Sequence, residues 1–244
     1  MKNITSSYDY RESHIGKGKE YSRSFSENPH RSMIWHLEQG ILDQIVKQYC
    51  VGATTRHLDF ACGTGRILEY LEKFENISSV GVDISPSMLD IARQRTKRSE
   101  IIEGDITRSD VLGDCKFGLI TAFRFFPNAQ YDLRRDAISV LVSHLERDGV
   151  LIFNNHKNLS SSINCFKRLF GRGFKKGMTL QDVETLVNAA GLYIDNIYYV
   201  GVIPSTKRYS LLPVKVLGVL EHALSGYPFL RKLALNQIFA CRRP

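Results

Sequence analysis

The stretch Leu-Asp-Phe-Ala-Cys-Gly-Thr-Gly-Arg, at residues 58–66, ends an apolar strand on an acidic residue and then turns through small residues into a helix. Glycine lets the backbone of such a turn approach a ligand closely. A second, valine-rich strand ends on Asp83, 20 positions after Gly63. An acid at about this distance can accept hydrogen bonds from both hydroxyls of a ribose. The pattern therefore predicts a nucleotide-like ligand across the carboxyl end of a sheet.

The spacing of the glycines argues against a dinucleotide. A dinucleotide site needs G-x-G-x-x-G, with the pyrophosphate at the helix N-terminus, whereas Gly63 and Gly65 are followed by Arg66 and Ile67. The run Asp-Phe-Ala-Cys-Gly-Thr-Gly instead resembles the first motif of class I S-adenosylmethionine (SAM)-dependent methyltransferases. Ala61 stands where that family most often has its first glycine, which is a mild departure.

Two later segments resemble the next motifs of the same family, in the same order. Residues 83–89 (Asp-Ile-Ser-Pro-Ser-Met-Leu) resemble the second motif, in which an acid binds ribose and a helix begins. Serine and proline suit that helix start. Residues 103–106 (Glu-Gly-Asp-Ile) resemble the third motif, in which an acid meets the adenine amino group and the next apolar residue packs on the ring. Three motifs at matching spacing make the resemblance specific.

The resemblance implies SAM as cofactor, with S-adenosylhomocysteine as product. In the family the glycines border the methionine moiety, the first acid serves its ammonium group, and the later acids hold ribose and adenine. The apolar residues that follow the two later acids, here Ile84 and Ile106, would sandwich the adenine ring. We carry these roles over to nine cofactor-binding positions: Asp59, Ala61, Gly63, Gly65, Asp83, Ile84, Asp105, Ile106 and Ala122. No acid or amide triad for a catalytic metal is recognisable, so no metal is expected.

The alternation of strand-like and helix-like segments predicts an α/β fold, a three-layer αβα sandwich with a mostly parallel sheet. The resemblance implies seven strands, the last one antiparallel. Expected strands lie at about 55–60, 78–83, 100–103, 117–122, 149–154, 192–200 and 237–241. Expected helices lie at about 31–49, 66–75, 86–97, 130–146 and 179–190, the last with Thr179 as its cap.

We divide the chain into an N-terminal arm and lid helix at 1–50 and a SAM-binding domain at 51–244. The first 30 residues are polar and tyrosine-rich, and we interpret them as an ordered arm or as partly disordered. Within the domain we expect a basic loop at 155–177. About 35 residues separate the last two strands, where the family usually has a short hairpin, so we also expect a cap insertion at 202–235.

Composition and cysteine usage indicate a cytoplasmic protein. The 244 residues are 43% hydrophobic, enough for one sizeable domain. No apolar run approaches the roughly 20 residues of a membrane span, and the N-terminus lacks a secretory apolar core. The five cysteines are scattered without a C-x-x-C pair, which favours free thiols in a reducing compartment. Peripheral contact with the inner face of the membrane stays open.

The segment at 117–128 occupies the position of the fourth motif, beside the transferred methyl group. It lacks the [D/N]-P-P-[Y/F/W] sequence of enzymes that methylate adenine or glutamine amino groups, which disfavours base methylation. Phe123, Phe125 and Phe126 could line the pocket through apolar and cation–π contact, and we expect at least one of them to be core. Arg124 is a candidate catalytic residue that could pair with a phosphate or carboxylate, or form a structural salt bridge.

His156 is the candidate catalytic base for an oxygen acceptor. It follows the fifth strand, at the sheet edge where we expect the cofactor, and a histidine can accept a hydroxyl proton near neutral pH. The alternative is a histidine bonded to loop backbone.

The net charge of +8 lies in the C-terminal part, since residues 151–244 carry 13 basic and 4 acidic side chains. Residues 157–176 hold no acid and interleave basic residues with phenylalanines, which suits phosphate groups, an anionic membrane, RNA or plain solvent. The apolar residues 211–224 suit a cap over the site or an interfacial helix.

The leading hypothesis is a SAM-dependent methyltransferase acting at oxygen on a small, glycan- or lipid-linked anionic acceptor. The alternatives are an RNA methyltransferase that uses the basic loop and a non-catalytic SAM-binding partner subunit. The oligomeric state is not predicted.

Overall fold

The fold was examined in a computed structural model of the chain. It describes residues 10–12, 16–52, 54–173, 176–203, 216, 220–221, 224 and 227–244. No helix in this described part is both long and apolar enough to cross a membrane.

Seven strands and eight helices follow one another in an alternating order over the described residues. The strands are β1 (Thr55–Phe60), β2 (Ile77–Asp83), β3 (Glu100–Glu103), β4 (Phe117–Ala122), β5 (Leu145–Asn155), β6 (Tyr193–Val200) and β7 (Asn236–Arg242). The helices are α1 (Gly18–Ser26), α2 (Pro29–Tyr49), α3 (Arg66–Leu71), α4 (Pro86–Arg95), α5 (Tyr131–Ser143), α6 (Ser162–Leu169), α7 (Leu180–Ala189) and α8 (Pro228–Arg231).

The strands form one sheet in the order β3-β2-β1-β4-β5-β7-β6. The pairs among β1 to β5 are parallel, and β7 runs antiparallel to both β5 and β6. This arrangement confirms the predicted seven-stranded α/β sheet with an antiparallel last strand. The strand order reverses between β1 and β4, and ligands of open α/β sheets bind at such a switch point, beyond the carboxyl ends of the strands.

Helices cover both faces of the sheet, because each face carries its own apolar cluster. One cluster joins α5 and α7 to the sheet and includes Leu133 and Val183, with Phe153 and Phe239 contributed by the sheet. The other joins α2 and α3 to the opposite face and includes Leu42. The chain thus forms the three layers that the sequence predicts.

Several local expectations need correction. The predicted loop at 155–177 contains a helix, α6, which Ser161 caps by accepting a hydrogen bond from the Asn164 amide. Ser85 occupies the N-cap position of α4 but makes no side-chain cap, whereas Thr179 caps α7 as predicted, in a capping box with Asp182. Most of the predicted cap at 202–235, including ten of the fourteen residues 211–224, lies outside the described residues, as do the first nine residues of the arm.

Candidate functional site

A cavity of about 350 Å³ lies beyond the carboxyl ends of β1, β2 and β4. Its wall combines the turn after β1, the ends of β2 and β4, and residues from the N-terminal arm, α2 and the end of β5. Three of its lining residues are carboxylates, here called the acidic end: Asp59, Asp83 and Asp105. A set of basic lining residues is here called the basic end: Arg31, Arg66, Arg124, His156 and Lys157. The two sets meet at Arg66, whose charge acts to lower the pKa of Asp59.

The turn after β1 adopts left-handed backbone conformations, and its residues Ala61 and Gly63 line the cavity. Ala61, Gly63 and Gly65 have φ values of 54°, 55° and 72°. A side chain at position 65 would also lie 3.0 Å from the Ala92 Cβ on α4. Glycine at 65 therefore lets α3 start against α4, while Ala61 tolerates a conformation that usually favours glycine.

Asp83 ties the end of β2 to this turn. Its Oδ2 accepts a hydrogen bond of 2.8 Å from the Gly63 amide, and its Oδ1 accepts one of 2.9 Å from the Ser85 amide. Burial raises the pKa of Asp83, and the two amide donors oppose that shift. The side chain is thus held in one orientation at the cavity wall, which suits a group that must receive two hydroxyls.

Asp59 presents one buried oxygen that has no partner. Its Oδ1 accepts a 2.6 Å hydrogen bond from the Thr121 hydroxyl, and Thr121 is bonded in turn to His57 Nε2 at 2.9 Å. Its Oδ2 is buried and has no hydrogen-bond partner. Burial raises the pKa of Asp59 to about 7. A buried, orphaned carboxylate oxygen costs free energy unless a donor or cation reaches it, so this atom marks a place for a positively charged ligand group.

The His57 side chain contacts Asp59 indirectly, through the Thr121 hydroxyl. It is fully buried, and its Nδ1 lies 2.9 Å from the Ser79 hydroxyl. Burial lowers the pKa of His57 to about 3, so the ring is neutral near pH 7. The sequence analysis did not single out His57 or Thr121. Their side chains contact each other across the neighbouring strands β1 and β4, and this contact depends on the register between the two strands.

Asp105 is bound to the N-terminal arm. Its Oδ2 lies 2.7 Å from Arg11 Nε, and its Oδ1 accepts hydrogen bonds from the amide and hydroxyl of Thr107. Burial acts to raise the pKa of Asp105, but the Thr107 and Arg11 hydrogen bonds outweigh it and hold the pKa below its usual value. Tyr10, beside Arg11, packs edge-on against Phe125. The arm thus closes the acidic end, which the sequence could not show.

Of the two apolar residues expected to sandwich an adenine ring, only one lies on the cavity wall. Ile84 lines the cavity. Ile106 is buried in the apolar cluster beneath α5, and Ala122 lies in the same cluster. Neither is among the lining residues, and nor is Gly65, so the structure does not bring these three predicted cofactor residues to the cavity wall. Among the phenylalanines after β4, Phe123 and Phe125 line the cavity, and Phe126 is core.

Arg124 is held in a buried structural ion pair. Its guanidinium donates to both carboxylate oxygens of Glu38 on α2, at 3.1 and 3.2 Å, and Glu38 is completely buried. Glu38 also accepts from Asn236, and the Arg124 amide donates to Asn154 at 2.6 Å. Burial opposes the charge, but Glu38 keeps the pKa of Arg124 above its usual value. Arg124 therefore forms the structural salt bridge weighed in the sequence analysis while its side chain still borders the cavity.

His156 lies at the basic end, and one of its ring nitrogens makes no hydrogen bond. Its Nδ1 is buried and has no hydrogen-bond partner. Burial, followed by the charges of Arg124, Lys157 and Arg31, holds the pKa of His156 well below its usual value. The ring is therefore neutral at neutral pH, and His156 is one of the residues that line the cavity.

The basic end has more positive than negative charge. Burial and the nearby Arg124 lower the pKa values of Arg31 and Arg66, that of Arg66 to about 10. Glu38 is the carboxylate that compensates Arg124, and in the described part of the chain the cavity wall carries acids only at the acidic end. Closely placed cations that depress one another's pKa values favour an anionic ligand. No group of three or more histidines, cysteines or acids that could hold a metal occurs among the described residues.

Comparison with known proteins agrees with this geometry. A family model described as a methyltransferase domain matches residues 58–149. This segment of the chain is therefore similar to a methyltransferase domain. The crystal structure of magnesium protoporphyrin IX methyltransferase from Synechocystis PCC 6803, with bound S-adenosylhomocysteine, superposes with a TM-score of 0.66 at 15% identity, covering 96% of this chain and 98% of that one.

Curated relatives match over a shorter range. Malonyl-(acyl-carrier protein) O-methyltransferase of Bacillus cytotoxicus is 29% identical over 165 residues, which is 66% of this chain and 53% of that protein. The enzyme of the same description from Bacillus cereus is 30% identical over 54% of this chain and 49% of its own length. The chain therefore spans about half the length of the curated relatives it matches.

Proposed function

We propose that this protein is a SAM-dependent methyltransferase that transfers the methyl group to a carboxylate oxygen of a small or carrier-linked anionic acceptor. One observation carries the proposal: a single cavity joins an end lined by three carboxylates to an end lined by cations and a neutral histidine. The curated relatives named above support it, because both are malonyl-(acyl-carrier protein) O-methyltransferases.

The acidic end fits the cofactor. SAM supplies an electrophilic methyl group on a sulfonium and carries an ammonium, a ribose and an adenine. The orphaned Asp59 Oδ2 suits the ammonium, Asp83 suits the ribose hydroxyls, and Asp105 with Ile84 suits the adenine. The left-handed turn at Gly63 lets the backbone approach the methionine moiety.

The basic end fits an acceptor that is already ionised. Arg31 and Arg66 would pair with acceptor oxygens, and Lys157 would add a third positive charge at the wall. A carboxylate oxygen attacks the methyl carbon directly: the new O–CH₃ bond forms as the S–CH₃ bond breaks, and no proton leaves. The protein holds the two reactants in line and excludes water, which is the main source of rate enhancement for such a displacement.

The role of His156 differs between a carboxylate acceptor and a hydroxyl acceptor. A hydroxyl would need a base, and His156 Nδ1 is the orphaned nitrogen at the basic end. Its depressed pKa makes it a weak base. With a carboxylate, His156 would only donate or accept a hydrogen bond that orients the acceptor. The base role predicted for His156 therefore belongs to the alternative in which the acceptor is a hydroxyl.

Two acceptors that differ in charge test the proposal. Methyl transfer from labelled SAM is measured with a malonyl thioester and with its carboxamide analogue, which has the same shape and no charge. We expect transfer to the carboxylate, none to the carboxamide, and at most a tenfold loss in His156→Ala. Equal transfer to both would contradict the anionic acceptor, and a His156→Ala variant without turnover but with normal S-adenosylhomocysteine affinity would favour the hydroxyl acceptor.

The same transfer assay would also reveal either of two other functions. Label in a nuclease-sensitive polymer would indicate an RNA methyltransferase, with the basic segment 157–176 as its binding surface. Tight S-adenosylhomocysteine binding without transfer to any fraction of a cell extract would indicate a non-catalytic partner subunit.

A further inference from the structure

The end of α6 exposes three large apolar side chains within five positions. Phe166, Leu169 and Phe170 are 56%, 80% and 65% exposed, and the rings of Phe166 and Phe170 lie 5.2 Å apart. We call these three residues the α6 pad. No other five-residue stretch in the described part of the chain exposes three large apolar side chains. A contiguous apolar surface of this kind marks a place where a folded protein meets a partner.

The α6 pad is surrounded by positive charge. Lys167, Arg168 and Arg172 lie between or beside its residues, and the chain carries no aspartate or glutamate from residue 157 to residue 176. Apolar side chains that enter a lipid headgroup region, with lysine and arginine stems reaching the phosphates around them, are the features of an interfacial membrane contact. Each basic residue near an anionic leaflet adds about 1 kcal/mol of attraction.

The pad is anchored beside the cavity. Lys157, on the cavity wall, precedes the α6 cap Ser161 by four positions. The charge of Lys176 helps to lower the pKa of Lys157, so the far end of the basic segment also lies near the cavity. The buried Asn158 fixes the base of the segment by donating to the carbonyl oxygens of Lys232 and Ala234. A surface bound at the pad would therefore lie close to the basic end of the cavity.

We propose that the α6 pad docks this protein on an anionic lipid surface. Charge complementarity and the apolar content of the pad decide the occupant. A neutral apolar partner leaves the basic rim unused, and a second copy of this chain would bring two basic rims together. RNA bases would stack on the two phenylalanines but leave Leu169, the most exposed of the three residues, unused. The inference concerns where the protein binds and does not depend on which acceptor it methylates.

Vesicle co-sedimentation of the full chain tests the proposal. The probes are phosphatidylcholine vesicles and vesicles of phosphatidylcholine with phosphatidylglycerol. We expect binding to the anionic vesicles that is at least tenfold stronger than to the neutral ones. The double variant Leu169→Ser/Phe170→Ser should weaken it by about tenfold or more. Arg168→Gln/Arg172→Gln should weaken it by about fivefold for each charge removed.

Matched controls separate the pad from general effects. Val51 is 79% exposed, as Leu169 is, but lies after α2, so Val51→Ser should leave vesicle binding unchanged. Arg147→Gln, in an exposed part of β5, should act likewise. Thermal unfolding and S-adenosylhomocysteine affinity of all variants should match those of the unaltered protein, because the substituted residues lie outside the cavity.

Three results would overturn the proposal. The first is no binding to anionic vesicles, and the second is binding that the pad substitutions leave unchanged. The third is a concentration-dependent dimer in sedimentation velocity that Leu169→Ser/Phe170→Ser abolishes, which would assign the pad to contact between copies of this chain.

Discussion

The acidic and basic ends of the cavity are built in different ways. The acidic end comes from residues 59–105, at the ends of consecutive parallel strands, and Asp83 is held there by main-chain amides such as that of Gly63. The basic end combines α2, the turn after β4 and the end of β5, and a buried ion pair between Glu38 and Arg124 holds it together. The acidic end thus depends mainly on backbone geometry at the strand ends, whereas the basic end is an assembly of distant side chains.

Removing Asp83 should have the largest effect on cofactor binding. Asp83→Ala deletes acceptors for two hydroxyls, each worth about 1.5–3 kcal/mol when the acceptor is charged. We expect S-adenosylhomocysteine affinity, measured by calorimetry, to fall by about 1,000-fold. Asp90→Ala, in an exposed ion pair on α4, is the control and should change affinity less than twofold. Equal losses in both would mean that Asp83 does not contact the cofactor.

Removing Glu38 should affect the stability of the basic end. Glu38→Gln leaves the buried Arg124 charge uncompensated, and breaking such a pair costs about 3 kcal/mol or more. Denaturant unfolding should show that loss. Glu69→Gln, which breaks the more exposed pair with Arg95, should cost less than about 1 kcal/mol. If both variants unfold alike, the Glu38–Arg124 pair does not hold the two elements together.

Removing Arg31 should affect only the acceptor. Arg31→Met retains an apolar stem but loses the charge, so kcat/KM for an anionic acceptor should fall by about 10- to 100-fold. S-adenosylhomocysteine affinity should stay within about twofold, and Arg135→Met on the exposed face of α5 should leave both quantities unchanged. A parallel loss of cofactor affinity would show that the two ends are not separable.

The smallest expected effect is a pH dependence of cofactor binding. Asp59 has a pKa raised to about 7, so below that pH it is protonated in the free protein and must lose its proton to pair with an ammonium. Cofactor affinity should therefore fall by up to about tenfold for each pH unit below 7 and level off above it. Asp59→Asn should bind weakly with no such dependence. An unchanged pH profile in that variant would assign the dependence to another group.

The acidic end was largely predictable from the sequence because its residues sit at fixed distances along the chain. Asp59, Gly63, Asp83 and Asp105 follow from the alternation of strands and from resemblance to known motifs, and all four line the cavity. Ile106 and Ala122 do not line the cavity. The alternation of residues along a strand does not show whether a side chain near its end faces the cavity or the core.

The basic end was predictable only in part. His156 and Arg124 were found because they follow strands. Arg31 and Glu38 lie in a helix where charged residues ordinarily face solvent, and their roles depend on how α2 packs over the sheet. The helix α6 was missed because its basic and glycine-rich surroundings resemble a loop, and only the Ser161 cap distinguishes it.

The most direct test of the account is the chemical stability of the transferred methyl group. Labelled SAM is incubated with the protein and an extract of cells that contain it, and the product is then treated with mild base. A methyl ester releases volatile labelled methanol, whereas ethers, methylated amines and methylated RNA do not. We predict base-released methanol that is strongly reduced with Arg31→Met and unchanged with Arg135→Met. Label that stays bound after base treatment would contradict a carboxylate acceptor.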